Sequence, residues 1–128
     1  YSGHPLAMAS IVENIAIMKD EQLIENADRL GREVLAPGLK ALADKHQMVG
    51  DVRGRGLFWA IELVTDRQTK AVPSADVMNQ VKNGLVAKGL LPFMSDNRIH
   101  VAPPLVVNED ELKQALAIYD AVLSEMTV

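Results

Sequence analysis

The sequence predicts an α+β domain, in which a small, mostly antiparallel sheet carries helices packed on one face. Two observations lead to this fold class. Apolar residues recur at helical spacing near both ends of the chain and again in its middle, whereas the short apolar runs between them have the period of strands. Two pairs of strand-like runs are separated by only one helical segment, which favours an antiparallel sheet. The 128 residues suffice for one core, so we expect a single small domain over residues 1–128.

The first third of the chain is predicted to form two helices. Apolar residues recur every three or four positions over residues 6–18, which predicts a helix with one buried stripe. The stripe consists of Met8, Ile11, Ile15 and Met18. A second helix is expected to begin with Asp20 as its N-cap and to end near His46. Pro37 interrupts the pattern of this second helix, so we expect it to kink or restart there.

The next segment is predicted to contain two strands that meet at glycines. Residues 48–52 form the first apolar run and residues 57–64 form the second. Gly54-Arg55-Gly56 lies between them and permits a bulge or a tight turn. The second run is apolar on both faces apart from Glu62, so we expect this strand in the centre of the sheet.

A third helix and a short strand are predicted to follow. Ser74 is a typical capping residue at the start of this helix, and Gly89 is its expected stop. The run at residues 90–94 contains Pro92, which lacks a backbone N–H and therefore predicts a strand near the edge of the sheet. Asp96-Asn97 supplies the turn that ends it.

The chain is predicted to finish with one more strand and a helix. Residues 98–102 alternate in polarity and end at two prolines. This alternation places Ile99 and Val101 on one face, and Arg98 and His100 on the other. Asn108, with Glu111 three residues later, has the pattern of a capping box, and an apolar stripe follows it at helical spacing.

The composition argues against several functional classes. Thirteen basic and seventeen acidic side chains give a net charge of −4, so no basic field exists to attract nucleic acid. No apolar run approaches the roughly 20 residues that span a bilayer, so no membrane partner is expected. The chain has no cysteine and only three scattered histidines, which predicts no metal site and a reduced, cytoplasmic setting.

Arg98 is the residue whose type and position are best suited to bind a ligand. It begins a predicted strand after a turn, and a guanidinium can grip a carboxylate through two parallel hydrogen bonds. From the residues alone, a surface ion pair is the commoner role of such an arginine. His4 precedes the first helix, where backbone amides can face an anion, although a packing or capping role is more common. His100 has no acidic or cysteine partner at catalytic spacing.

The residues by themselves indicate no catalytic group. The seven lysines fall on predicted polar helix faces, helix ends or turns. A lysine that forms a Schiff base needs desolvation or a cationic neighbour to lower its pKa, and none of the seven is so placed. Gly54-Arg55-Gly56 is similar to half of a dinucleotide-binding fingerprint, but no helix follows it, so a bulge is the better interpretation.

Three motifs, taken together and in order, resemble the C-terminal part of class III aminotransferases. They are YSGHPLA at residues 1–7, VGDVRGRGL at residues 49–57 with IELV at residues 61–64, and RIHVAPPL at residues 98–105. This family comprises pyridoxal-phosphate enzymes, among them ω-amino acid, 4-aminobutyrate and ornithine aminotransferases. The resemblance covers nearly the whole chain, and the sequence departs from it at Pro37, inside a helix that is usually continuous.

The resemblance implies the C-terminal domain of a fold type I pyridoxal-phosphate transferase. Such a domain packs beside a large cofactor-binding domain in a homodimer with shared active sites. The enzyme moves an amino group from an amino acid or amine to a keto acid such as pyruvate or 2-oxoglutarate. We expect this chain to be a fragment that lacks the large N-terminal domain and its Schiff-base lysine. The isolated chain is then expected to be inactive and to bind no cofactor.

The resemblance also implies roles for individual residues. Arg98 matches the arginine that pairs with the substrate carboxylate, whereas Tyr1, Ser2, Gly3 and His4 match a segment close to the cofactor. No catalytic residue is implied within the chain. The alternative is a freestanding, non-catalytic α+β module that binds a small anion or self-associates, because a domain cut from its partner exposes apolar surface.

Overall fold

A computed structural model describes residues 2–126, so the predicted cofactor contact of Tyr1 lies outside the described residues. Within this range the chain forms five α-helices, one π-helical turn and four strands. Their bounds are α1 (Pro5–Asp20), α2 (Leu23–Leu30), the π turn (Gly31–Leu35), α3 (Ala36–Lys45), β1 (Val49–Arg55), β2 (Phe58–Leu63), α4 (Ala75–Ala87), β3 (Phe93–Ser95), β4 (Arg98–Val101) and α5 (Glu109–Glu125). This order of helices and strands confirms the predicted order.

The four strands form one antiparallel sheet with the order β1-β2-β4-β3. The predicted central position of β2 is confirmed, because Ile61 pairs with Val52 on one side and with Ile99 on the other. The predicted edge position of the strand after Pro92 is also confirmed. A bulge between Val49 and Asp51 shifts the register at the start of β1.

The helices cover one face of the sheet, and the core lies between the two layers. Ile61, Leu63 and Ile99 of the two central strands are fully buried on this face. They pack in one cluster with side chains from four helices and the π turn, among them Leu30, Leu35, Leu39, Val81 and Leu112. The predicted α+β fold, with helices on one face of a small antiparallel sheet, is therefore confirmed.

The predicted break at Pro37 takes the form of a π turn immediately before it. Pro37 lies in the first turn of α3, which continues the π turn without leaving the helical backbone conformation, so the helical ladder lacks an N–H donor at this position. Gly31 begins the π turn, and a Cβ atom at this position would overlap the backbone of Gly56 in the β1–β2 turn. The glycine therefore allows the helical segment to touch the hairpin directly.

Two expectations about the first two helices are wrong. Asp20 does not cap the second helix, because α1 continues to Asp20 and α2 begins only after Gln22, which adopts a left-handed conformation. The predicted stripe of α1 is not buried either, since α1 has no buried residue and Ile11 and Ile15 are about half exposed. The spacing of apolar residues predicted the helix correctly, but no other part of the described chain covers the apolar stripe.

Local capping signals predicted the remaining helix ends well. The hydroxyl of Ser74 accepts from the N–H of Val77 at the start of α4, and Gly89 follows its end with a φ of 87°. Asn108 and Glu111 form the predicted capping box of α5. Within residues 2–126, no helix combines the length and apolar character that crossing a membrane requires.

Candidate functional site

The sheet face that the helices leave uncovered, which we call the open face, gathers polar and aromatic side chains. Directly opposed residues of an antiparallel sheet share a face, so the strand register determines its composition. One cross-strand row contains Arg53, Ala60, His100 and Phe93. The next row contains Asp51, Glu62, Arg98 and Ser95, and a third pairs Arg55 with Phe58. The predicted sharing of one face by Arg98 and His100 is confirmed.

A concavity of about 360 Å³ lies on the open face. It is lined by Arg53, Gly54, Phe58, Trp59, Ala60, Arg98 and His100. Its volume falls within the range of pockets that hold small molecules, and such pockets combine apolar walls with a few placed polar groups. The two arginines and the aromatic rings give it this mixed character, so it is the candidate site.

A tight turn positions Arg98 at the start of β4. Asp96 adopts a left-handed backbone with a φ of 53°, and Asn97 locks the turn onto β2 by donating from its side-chain nitrogen to the carbonyl of Leu63 at 2.7 Å. The guanidinium of Arg98 donates to the carboxylate of Asp96 at 2.7 Å. Asp96 is 74% exposed, so water competes with this pair and a second carboxylate can approach the guanidinium.

Arg53, the second arginine of the concavity, is already held by two carboxylates. It contacts Asp51 at 2.7 Å and Glu62 at 2.8 Å. The hydrogen bonds to Asp51 and then to Glu62 raise the pKa of Arg53 above its ordinary value. Arg53 is therefore committed to partners within the sheet, and Arg98 is the arginine with capacity for an external anion.

Two phenylalanines flank His100 on the open face. The ring centroids of Phe93 and His100 are 5.0 Å apart, and those of Phe58 and His100 are 6.4 Å apart. Sequence reasoning did not identify Phe58 or Phe93 as site residues. The available signal was that each falls on a predicted strand, but only the register brings them beside His100.

The predicted cofactor segment lies apart from the candidate site. Ser2, Gly3 and His4 are exposed and precede α1, where His4 is the N-cap without a capping bond from its side chain. Among residues 2–126, no hydrogen bond or salt bridge joins these three residues to the open face. The two predicted groups of site residues therefore lie on separate surfaces of the described chain.

None of the seven lysines lines the concavity on the open face. All seven are exposed, at positions Lys19, Lys40, Lys45, Lys70, Lys82, Lys88 and Lys113. A nucleophilic lysine needs its pKa lowered by desolvation or by a nearby cation. The pKa of Lys113 moves the other way, because its hydrogen bond to Glu109 raises it. Residues 2–126 also hold no cluster of three potential metal ligands.

Comparison with known proteins gives a consistent result over nearly the whole chain. The family model described as aminotransferase class-III matches residues 1–123. The ethanolamine-phosphate phospho-lyase homolog 1 of Caenorhabditis elegans is 34% identical in an alignment of 131 positions, and this alignment covers 98% of this chain and 27% of that protein. The chain therefore spans little more than a quarter of this relative.

Solved structures match in the same way. An aminotransferase from Bacillus anthracis has a TM-score of 0.89 and 31% identity, and the match covers 97% of this chain and 29% of that one. The taurine:2-oxoglutarate aminotransferase of Bifidobacterium kashiwanohense, solved with pyridoxal phosphate and glutamate, has a TM-score of 0.88 and 29% identity, with the same shares covered. Both comparisons align this chain with a minor part of a larger protein.

Proposed function

Because the chain belongs to the class III aminotransferase family, we propose that it is the small C-terminal domain of a pyridoxal-phosphate-dependent aminotransferase. The parent enzyme would move an amino group from an amino acid or amine to a keto acid such as pyruvate or 2-oxoglutarate. The family match over residues 1–123 carries this proposal, because it extends over the sheet, helices α1 to α4 and most of α5. The proposal also includes a homodimer and a cytoplasmic location.

Arg98 is assigned to the substrate carboxylate. Its guanidinium stands on the open face beside a concavity of small-molecule size, and it is held there by one exposed carboxylate. A planar fork of N–H donors matches the two oxygens of a carboxylate, which fixes the orientation of the bound acid. Holding the acid in one orientation aids reaction by positioning rather than by bond chemistry.

The described residues are suited to form part of a pyridoxal-phosphate site, but they do not form a complete site. Pyridoxal phosphate, when bound, supplies the electron sink for transamination. The exposed lysines of this chain do not suit covalent attachment to it, so we place that lysine in the remainder of a longer protein. Ser2, Gly3 and His4 stay proposed neighbours of the cofactor, at the backbone N-terminus of α1.

The apolar side of α1, which no described residue covers, supports the proposal that a large domain packs against this chain. Leu6 and Val12 are 74% and 68% exposed, and Ile11 and Ile15 are about half exposed. A helix with apolar residues at these positions normally buries them against another element. We assign this surface to the rest of the parent protein, and the share of the relatives that this chain covers leaves ample chain to form it.

A second candidate function comes from the C. elegans relative, whose name describes a phospho-lyase acting on ethanolamine phosphate. An arginine on the open face suits a phosphate as well as a carboxylate, because both are anions with several acceptor oxygens. In this case the parent enzyme would eliminate inorganic phosphate from ethanolamine phosphate, and hydrolysis of the remaining enamine by one water would give acetaldehyde and ammonia. The two activities consume different substrates and give different products.

The test uses the full-length protein that carries this chain. It is supplied with pyridoxal phosphate and assayed with amino donors and pyruvate or 2-oxoglutarate, and in parallel with ethanolamine phosphate. Formation of the new amino acid supports the aminotransferase, whereas release of inorganic phosphate supports the lyase. Absence of both activities, together with anion binding by the 128-residue chain, would favour the non-catalytic module instead.

A further inference from the structure

We propose that Phe58, His100 and Phe93 form a subsite for an aromatic or other flat apolar substituent of the substrate, beside the carboxylate assigned to Arg98. This inference rests on the proposed function and specifies the substrate class of the same site. It assigns a role to three residues of the open face that binding of the carboxylate leaves unused.

The first argument is the placement of the phenylalanines. The sequence contains two phenylalanines, and neither belongs to the core. Phe58 is 66% exposed and Phe93 is 69% exposed, although large aromatic side chains usually contribute to cores and interfaces. Their strands are separated in the sheet by β4, and both rings converge on its His100. Two exposed rings at one spot indicate a surface that is covered during function.

The second argument is the geometry of the three rings. Phe93 lies directly opposite His100 in the β3–β4 pair, and the planes of these two rings are inclined by 51°. Phe58 approaches from β2 with an inclination of 36°. The rings are inclined and are not stacked on one another. Phe58 and His100 line the concavity of about 360 Å³, whereas Phe93 and His100 line a neighbouring concavity of about 300 Å³. The two concavities share His100, so a flat group that covers the imidazole can contact both phenylalanines.

The third argument is the distance to the arginine. Arg98 and His100 are two residues apart on β4 and share the open face, which separates them by about 6.6 Å along the strand. The guanidinium pairs with Asp96, so an acid bound at both residues would exchange its carboxylate for that of Asp96. The concavity of about 360 Å³ contains both Arg98 and His100.

The same surface is less suited to the packing of another protein segment. Cores of protein interfaces are depleted in charged residues, whereas Arg53, Arg98, Asp51 and Glu62 surround these rings on the open face. Small-molecule sites combine apolar walls with a few oriented polar groups, which is the composition found here. We therefore assign a small amino or keto acid to this surface, and not a second polypeptide.

The test compares two donors in the full-length holoenzyme. The kcat/KM values for phenylalanine and for alanine are measured with one keto acid, in the unmodified enzyme and in the variants Phe58→Ala and Phe93→Ala. We expect each variant to lower the phenylalanine-to-alanine ratio about two- to tenfold, which is the size of effect that one aromatic contact has on binding. Phe93→Tyr, which keeps the ring, should retain most of the ratio. Val86→Ala, at an exposed apolar residue of α4, is the matched control.

Two outcomes would overturn the subsite. The first is an unchanged ratio in both variants. The second is an equal loss with both donors, accompanied by a lower melting temperature or cofactor content, since this would identify the rings as a packing surface of the parent protein.

Calorimetric binding of 3-phenylpropionate and propionate to the same proteins separates the subsite from the proposed function. If the enzyme does not transaminate but binds 3-phenylpropionate more tightly in a Phe58-dependent way, the proposed function fails and the subsite stands. If the two acids bind equally and no variant changes their binding, the subsite is refuted.

Discussion

Glu62 and Arg98 occupy directly opposed positions on β2 and β4, yet they do not form an ion pair. The carboxylate of Glu62 accepts from Arg53 at 2.8 Å, and Arg98 turns to Asp96 at the end of the strand. Opposed residues of opposite charge normally stabilise a sheet by pairing. Because Glu62 pairs with Arg53 and not with Arg98, the Arg98 guanidinium retains the capacity to bind an anion that comes from outside the sheet.

Replacement of Arg98 should weaken the use of substrates that carry a carboxylate. In the full-length protein, Arg98→Ala is expected to raise the KM for an amino acid donor about tenfold or more, because a hydrogen bond to a charged group contributes about 1.5–3 kcal/mol. Arg98→Lys should recover only part of this loss, since an ammonium cannot form the bidentate pair. Single-turnover measurements of the donor half-reaction give the effect without the acceptor.

Two comparisons make the Arg98 experiment specific. Arg32→Ala removes another exposed arginine with a single carboxylate partner, Asp28, and should leave KM unchanged. An amine donor without a carboxylate should react equally well before and after Arg98→Ala. Equal impairment of that amine would contradict a role in carboxylate binding.

The exposed side of α1 should drive self-association of the isolated 128-residue chain. Replacing both Ile11 and Ile15 by Gln removes apolar surface that no described residue covers, so the variant should sediment as a smaller species. Ile24→Gln is the control, since Ile24 is 61% exposed on α2. A monomeric unmodified chain at high concentration would contradict the idea of a missing interface.

Gly31→Ala is expected to lower the free energy of unfolding by about 2–3 kcal/mol. The new methyl group would overlap the backbone of Gly56, which cannot move aside as the end of a side chain can. Gly38→Ala is the matched comparison. Its methyl group would meet the end of the Leu116 side chain, which can shift, and helix propensity favours alanine by roughly 1 kcal/mol. Urea unfolding of the two variants should show the larger loss for Gly31→Ala, and the reverse order would refute the close contact.

Arg67 caps the C-terminus of α3 and should contribute to stability through this contact. Its guanidinium donates to the backbone carbonyls of Ala43, His46 and Gln47. Arg67→Ala should cost about 1.5–3 kcal/mol in the free energy of unfolding, and Arg67→Lys should restore little, because an ammonium lacks the fork that reaches several carbonyls. Arg55→Ala, at an exposed position of β1, serves as the control. A lysine variant as stable as the unmodified protein would argue against capping by the fork.

Asp120 should make the stability of the fold sensitive to acid. Hydrogen bonds from Lys45 and then from His46, both at 2.7 Å, hold the pKa of Asp120 below its ordinary value of 3.8. A carboxyl group whose pKa is lower in the folded state stabilises the fold above the ordinary value, and this contribution disappears as the pH falls through the folded-state pKa. Asp120→Asn should therefore be less stable than the unmodified protein at neutral pH, with a difference that shrinks at pH values below 3.8.

The control for Asp120 is Asp44→Asn. Asp44 forms an exposed pair with Lys40 at 3.1 Å, and pairs of this kind contribute little to stability. Urea unfolding at neutral pH should show a smaller loss for Asp44→Asn than for Asp120→Asn. A difference for Asp120→Asn that does not vary with pH would contradict the assigned linkage.

The sequence by itself determined the order of the helices and strands, most helix ends and the class of the fold. Ser74, Gly89, Asn108 and Glu111 act through hydrogen bonds and backbone angles within a few residues, so their effects can be read from neighbouring positions. The sequence also predicted that Arg98 and His100 share one face of a strand, because side chains alternate along it.

Only the tertiary structure decided which side chains meet on the open face. Strict alternation from buried Val49 would place Asp51 and Arg53 toward the core, but the bulge before Asp51 reverses their faces and brings Arg53 to Glu62. The meeting of Phe58 and Phe93 at His100 depends in the same way on the register of three strands. The apolar stripe of α1 was likewise visible in the sequence, whereas its exposure was not. Periodicity identifies an apolar side, but what covers that side depends on contacts between distant parts of the chain or with other polypeptides.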